Sequence, residues 1–446
     1  MEKLKQQIKE KKKLIAISSW ILMALVAETN FVFAAMSESY TLMGIWMVAA
    51  IGLAFAYIWQ NKKKEQKIEP FIILYGIFWL YATIRFIYPL HHTDLFFYWT
   101  GFMMIFASSY YTGMFKKDTI FKFLKIMGFI FAVGVLLQFL FTDFFMENYF
   151  PLFGQEFQES IYRQVVTHKM YPGWAHQTMA TCLNMLPALA AAVLLWKKDR
   201  KKQMIDLLFF FFMIECYLLT GRRGPLVFLV CTIIGVEILT SDSVKSCVKG
   251  LLTKAGLIAF SAVFLQLLLK VQAVFEKAEV SEESRNTIVR ITETLTGEVA
   301  DVSNGRYELW KLAGQLFEEH PLFGIGWRKY NLFAQQMVNE DSHVHNVFIQ
   351  LAVEIGIIGL ILYIIPIVYA LWDNFKLYRI TAKAGNVELS RVFKFTLTLQ
   401  IYLFLVSLTE SLIFYFSYQM LYCFVFCIYL AAKRDFRNTQ QNIIHK

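Results

Sequence analysis

Apolar residues run along this chain in stretches of about 20, the length a helix needs to cross a hydrocarbon layer, separated by short polar segments. The pattern predicts an all-α polytopic membrane protein with about 12 transmembrane helices. Nine spans fall at about 14–36, 40–60, 69–90, 94–114, 120–142, 176–196, 204–220, 225–240 and 251–271. Three more fall at about 346–371, 392–409 and 413–432. A basic tail, 1–13, precedes them, a polar tail, 433–446, follows, and 272–345 forms a large loop between spans 9 and 10.

That loop has its own pattern. Leu309, Trp310, Ala313, Leu316 and Phe317 recur at helical spacing, and Pro321 marks the end of the amphipathic stretch they define. A polar segment then leads to His343, His345 and Asn346, at the entrance to span 10. Gly356 and Gly359 read as small packing positions within that span. A soluble helical segment that feeds a histidine into the top of a membrane helix points to chemistry at a membrane surface.

Composition agrees with the pattern. The 446 residues are 57% hydrophobic, 17% aromatic and 17% charged, against about 45–50% apolar and 25% charged in soluble domains. The net charge of +10 is an orientation signal and not a footprint for nucleic acid. Most Lys and Arg fall on one side when both termini are placed in the cytoplasm, which puts the large loop on the extracytoplasmic face. Of the six cysteines, Cys182, Cys216, Cys231, Cys423 and Cys427 lie in spans and Cys247 in a cytoplasmic loop, so no disulfide framework is expected.

The candidate chemistry is cationic. Arg222 and Arg223 sit in a short outer turn, either as an interfacial snorkelling pair or as an anion clamp whose guanidinium forks suit phosphate. Arg306 stands at the start of the amphipathic helix, Arg85 near the outer end of span 3, and Arg163 in an aromatic outer loop at about 143–175. Arg328 follows the turn at 324–327, and it joins Arg85, Arg163, His343 and Asn346 as a candidate substrate contact. A lone His-x-His at 343–345 is weak grounds for a metal site, and none is expected. His345 is read either as a structural cap or as a general base, with a helix N-terminus disfavouring its charged form. Glu28 and Glu410 lie near outer membrane ends with no partner evident in the sequence. A base and several arginines together suit group transfer from a diphosphate-linked lipid.

The stretch around these residues resembles the O-antigen ligase and Wzy-type polymerase superfamily. The resemblance rests on Gly305-Arg306 and Trp310, on Pro321-Leu322-Phe323-Gly324-Ile325-Gly326, and on His345-Asn346 spaced before Gly356-Ile357-Ile358-Gly359. Thr220-Gly221-Arg222-Arg223-Gly224 is similar to the family's arginine turn, with Arg222 where a serine is frequent. The resemblance implies GT-C-like architecture and an inverting, metal- and cofactor-independent transfer of glycan from an undecaprenyl diphosphate carrier. It implies His345 as the base, with Arg223, Arg306 and Arg222 at phosphate, on the outer face of a bacterial cytoplasmic membrane. The acceptor would be another lipid-linked glycan for a surface-polysaccharide polymerase, or a lipid A-core or protein for a ligase. A lipid-linked oligosaccharide flippase or transporter is the rival of a different class. The large loop, the lack of a half-to-half repeat and the missing Gly-Asp-Arg-type basic loop after span 2 count against it.

Overall fold

A computed structural model describes residues 68–86, 92–110, 119–194, 200–275, 306–338 and 343–444, with a few isolated positions between 45 and 58. The basic tail, nearly all of spans 1 and 2, Glu28, and the loop segments 276–305 and 339–342 lie outside the described residues. Among the described residues the regular elements are helical. The longer ones, besides a few helical turns of three to five residues, begin with α1 (Pro70–Phe86), α2 (His92–Ser108), α3 (Thr119–Leu140), α4 (Gln155–Tyr162), α5 (Thr178–Leu194), α6 (Arg200–Leu219) and α7 (Arg223–Thr240). The remainder are α8 (Val244–Phe275), α9 (Arg306–Glu319), α10 (Tyr330–Val338), α11 (Val347–Lys383), α12 (Val387–Val406) and α13 (Phe416–Ile444).

Among the described residues four helices are long and apolar enough to cross a membrane: Ile120–Leu140, Arg223–Thr240, Val347–Lys383 and Val387–Val406. Apolar segments at Pro70–Phe86, Leu95–Ser108 and Thr178–Ala192 are shorter. On α1 the exposed residues Ile73, Ile77, Leu80 and Ile84 form a stripe at helical spacing, opposite buried Phe71, Tyr75, Phe78 and Ala82. Such a stripe is unfavourable in water and suited to lipid tails. The protein is a multi-pass membrane protein. Two expected boundaries move: α8 is a single helix extending beyond 251–271 at both ends, and α13 carries the chain on through most of the expected tail.

The helices fall into two compact units. The first holds α1, α2 and α9 to α13, with α11 packed on α1 and α12, and α13 on α2 and α12. Aromatic residues fill it; Trp79 stacks on Tyr98 at 4.7 Å, and Trp327 lies 4.3 Å from Phe86 and 4.5 Å from Phe414. At the far end, Lys433 pairs with Glu69 at 3.0 Å and Asp373 at 2.8 Å. The second unit holds α3 to α8. In it, α5 packs on α3 and α6, and the loop after α3 closes on its own aromatic core of Phe145, Phe150, Phe153, Ile161 and Val165.

The expected single span at 346–371 is broken. Gly356 takes φ 74° and ψ 177°, outside helical geometry. Phe348 and Tyr363 would stand about 22 Å apart along an unbroken helix, yet their ring centroids are 6.4 Å apart. The chain therefore folds back at Gly356, and 347–355 is a short arm leaning on the long arm that follows.

A break strands backbone groups that a continuous helix would pair, and in an apolar setting each stranded group is costly. The loop after α9 supplies the partners. Ile325 N–H donates to Val353 O at 2.9 Å, Gly326 N–H to Glu354 O at 2.8 Å, and Ile357 N–H to Pro321 O at 2.9 Å. Tyr81 Oη donates to Ile355 O at 2.9 Å. The close approach explains the glycines, since a Cβ on Gly356 would lie 2.0 Å from Leu322 O and one on Gly324 2.5 Å from Val353 O. Gly359 keeps its packing role, beneath Tyr81, whereas Gly356 is a splice point.

Candidate functional site

The loop after α9 and the short arm of α11 together set the position of residues 343–346. The buried face of α9, Leu309, Leu312, Ala313 and Leu316, packs with Tyr330 and Ala334 of α10 and with Val344 and Val353. Part of what reads as a polar segment is thus the helix α10. Trp310 Nε1 donates to Val344 O at 2.9 Å, which fixes the backbone one residue before His345. Asn346 caps α11: its Oδ1 accepts from Phe348 N at 2.9 Å and Ile349 N at 3.0 Å. Its Nδ2 donates to Leu408 O at 2.9 Å, and Val347 N donates to Ser407 O at 2.8 Å. These bonds zip residues 346–347 to the loop after α12.

The zipper brings Glu410 to His345. Glu410 is buried, with Oε2 3.6 Å from His345 Nδ1 and Oε1 3.5 Å from Arg306 Nη2. The spacings are those of ion pairs and longer than a tight hydrogen bond. They are within the range that shortens when a substrate closes a site. His345 itself has φ 55°, in the left-handed region that few side chains adopt without cost. Its Nδ1 faces the Glu410 carboxylate. Glu410 is the residue sequence reasoning left without a partner. The signal was a carboxylate in Ser-Leu-Thr-Glu-Ser at the outer end of an apolar run.

His343 is half-buried and engaged elsewhere. Its ring stacks on Phe414 at 6.0 Å and meets Tyr415 edge-on at 5.0 Å, and Nδ1 lies 2.8 Å from Gln350 Nε2. Desolvation, then the positive charge of Arg328 and the neighbouring His345, push its pKa down from 6.5 to about 3. His343 is therefore a neutral imidazole at physiological pH. Arg328 donates through Nη2 to Phe414 O at 2.9 Å and through its backbone N to Glu354 Oε2 at 2.7 Å. Arg85 donates through Nη2 to Gly324 O at 3.0 Å, on the loop spliced into α11. Among the described residues no group of three or more His, Cys, Asp or Glu could hold a metal ion.

The second unit carries the other arginines. Arg222 precedes α7, and Arg223 is its first residue. Gly221, at φ 71°, makes the turn; a Cβ there would lie 2.5 Å from Met170 Cγ. Arg222 Nε donates to Thr178 Oγ1 at 2.8 Å, and Thr178 is held in turn by Gln164 Oε1, at 2.9 Å from its N and 3.1 Å from its Oγ1. Arg163 is exposed and adjoins Gln164. Structure thus groups His345, Arg306, Asn346, His343, Arg328 and Arg85 in one unit, and Arg222, Arg223 and Arg163 in the other.

Residues 208–364 match the family model described as O-antigen ligase. Over that stretch the chain is similar to the O-antigen ligase family. No curated protein matches the chain. The O-antigen ligase match runs from α6 to just beyond Gly359, and takes in both arginines of the Gly221 turn, Arg306, Arg328, His343, His345 and Asn346. Arg85, Arg163 and Glu410 lie outside it. The protein is a membrane protein by its apolar helices, and about a third of its chain is similar to the O-antigen ligase family.

Proposed function

We propose that the protein is a membrane glycosyltransferase that polymerises glycan repeat units from an undecaprenyl diphosphate carrier. The reaction would take place on the outer face of a bacterial cytoplasmic membrane, with both termini inside. The observation that carries this reading is the buried Glu410 carboxylate held between Arg306 and His345. A histidine backed by a carboxylate is a general base, and an arginine beside it is a site for phosphate.

The chemistry follows from the residue types. His345 Nε2 takes the proton of an acceptor hydroxyl as that oxygen bonds to the anomeric carbon of the donor. The bond from that carbon to the diphosphate breaks on the opposite face, so the configuration inverts. Glu410 stabilises the imidazolium that forms. Arg306 offsets the charge that develops on the departing diphosphate, and the resemblance gives Arg223 and Arg222 a phosphate role as well. Guanidinium supplies the positive charge here, and Asn346 fixes the backbone that carries the base.

The test is an assay of purified protein with undecaprenyl diphosphate-linked repeat units, with products resolved by size, for wild type and His345→Ala. His345→Asn is run in parallel, because asparagine tolerates the left-handed backbone at this position. A ladder made by wild type and by neither variant is the expected result. Donor consumption that requires a separate acceptor assigns the protein as a ligase, and transport without histidine-dependent transfer overturns the enzymatic reading.

A further inference from the structure

Beneath His345 the buried polar groups form a connected chain. Gln350, on the short arm of α11, is fully buried, as are Glu354 and Ser411. Its Nε2 lies 2.8 Å from His343 Nδ1 and donates to Glu354 Oε1 at 3.2 Å, while its Oε1 accepts from Ser411 Oγ at 2.7 Å. The Glu354 carboxyl accepts from Nε2 in this arrangement, and the Ser411 hydroxyl, able to donate or accept, meets Oε1. Nε2 is then the donor to His343, whose Nδ1 must accept and whose proton sits on Nε2, consistent with a neutral ring. Glu354 Oε2 continues to Arg328 N at 2.7 Å, and Arg328 Nη2 returns to Phe414 O at 2.9 Å.

A leucine at position 350 would fill the space without the desolvation cost of an amide. The neighbours show what the amide does instead. His343 is two residues from His345, and Ser411 is next to Glu410. One side chain thus bonds both segments that carry the base and its carboxylate. We propose that Gln350 is a positioning residue, holding His345 and Glu410 in register through His343 and Ser411. The inference rests on the reading of His345 as the base.

The test uses Gln350→Met, which keeps the volume and loses the hydrogen bonds, and Ser411→Ala, which deletes one hydroxyl. Each is made in the wild-type and the Glu410→Gln backgrounds, and kcat and donor KM are measured in full-length protein. In the wild-type background kcat should fall about 10- to 100-fold with KM within about twofold, the scale of a displaced catalytic group. In the Glu410→Gln background the further loss should be under about threefold, because the carboxylate that His345 is held in register with is already gone. Unchanged kcat, or the same fold-loss in both backgrounds, overturns the proposal and leaves the network a role in folding alone. Should Gln350→Met not fold, the Ser411→Ala cycle decides by itself. An active His345→Ala protein sinks the reading of the base, whereas an inactive one with Ser411→Ala equal to wild type sinks only this proposal.

Discussion

His343 makes stability depend on pH with a sign and size that follow from its surroundings. Packed on Phe414 and Tyr415, and facing the positive charge of Arg328, it titrates near 3 when folded against 6.5 ordinarily. The folded state therefore binds fewer protons than the unfolded state between those values, so stability falls as pH falls through that window. The cost is absent above about pH 6.5 and grows by about 1.4 kcal/mol per pH unit below it. At pH 4.5 it reaches at most about 2.7 kcal/mol, a large part of a typical folding free energy. His343→Gln removes the titrating group and keeps a side chain able to meet the Gln350 amide. Unfolding in mixed detergent micelles, followed by denaturant titration at pH 7.5 and 4.5, gives the loss for each protein. Carboxylates elsewhere contribute equally to both, so the difference between the two losses isolates His343. Wild type should lose up to about 2.7 kcal/mol more than the variant. Equal losses would refute the argument, because they would show that the ring accepts a proton in place at no cost.

Other outcomes follow from the same geometry. Glu410→Gln should lower kcat by about 100-fold or more with folding retained, since the imidazolium loses its counter-charge; steady-state assays with a lipid-linked donor check this. Gly356→Ala should destabilise by about 3 kcal/mol or more, through a positive φ and a Cβ placed 2.0 Å from Leu322 O, and is read from micellar unfolding or from loss of folded protein on expression. Arg223→Lys should be severely impaired in transfer despite keeping its charge, because an ammonium cannot reproduce the two parallel bonds of a guanidinium to phosphate. Trp310→Phe should cost about 1 kcal/mol by removing the bond from Nε1 to Val344 O, with a smaller fractional change in KM than in kcat.

The apolar runs alone determined that this is a multi-pass helical membrane protein, because a hydrocarbon layer admits few other solutions for a chain with such long apolar stretches. Helical spacing from Leu309 to Phe317, with Pro321 beyond it, likewise placed α9, which ends at Glu319. The residue types of His345 and Arg306 marked the candidate chemistry before any coordinates, since ionisable groups are rare at apolar boundaries and costly unless used. The break at Gly356 was invisible to hydropathy, which measures how apolar a run is and not whether it turns back within itself. That turn exists because a loop some 30 residues earlier supplies the hydrogen bonds the break leaves open. Glu410 became part of the site for the same kind of reason. It lies 104 residues from Arg306 in the chain, and only the zipper between Asn346 and Leu408 brings its carboxylate to the imidazole. Local pattern sets which segments are helical and which residues are charged, whereas pairing between distant segments depends on backbone groups finding partners in three dimensions. Gln350, buried in an apolar run, acquires its meaning from that pairing.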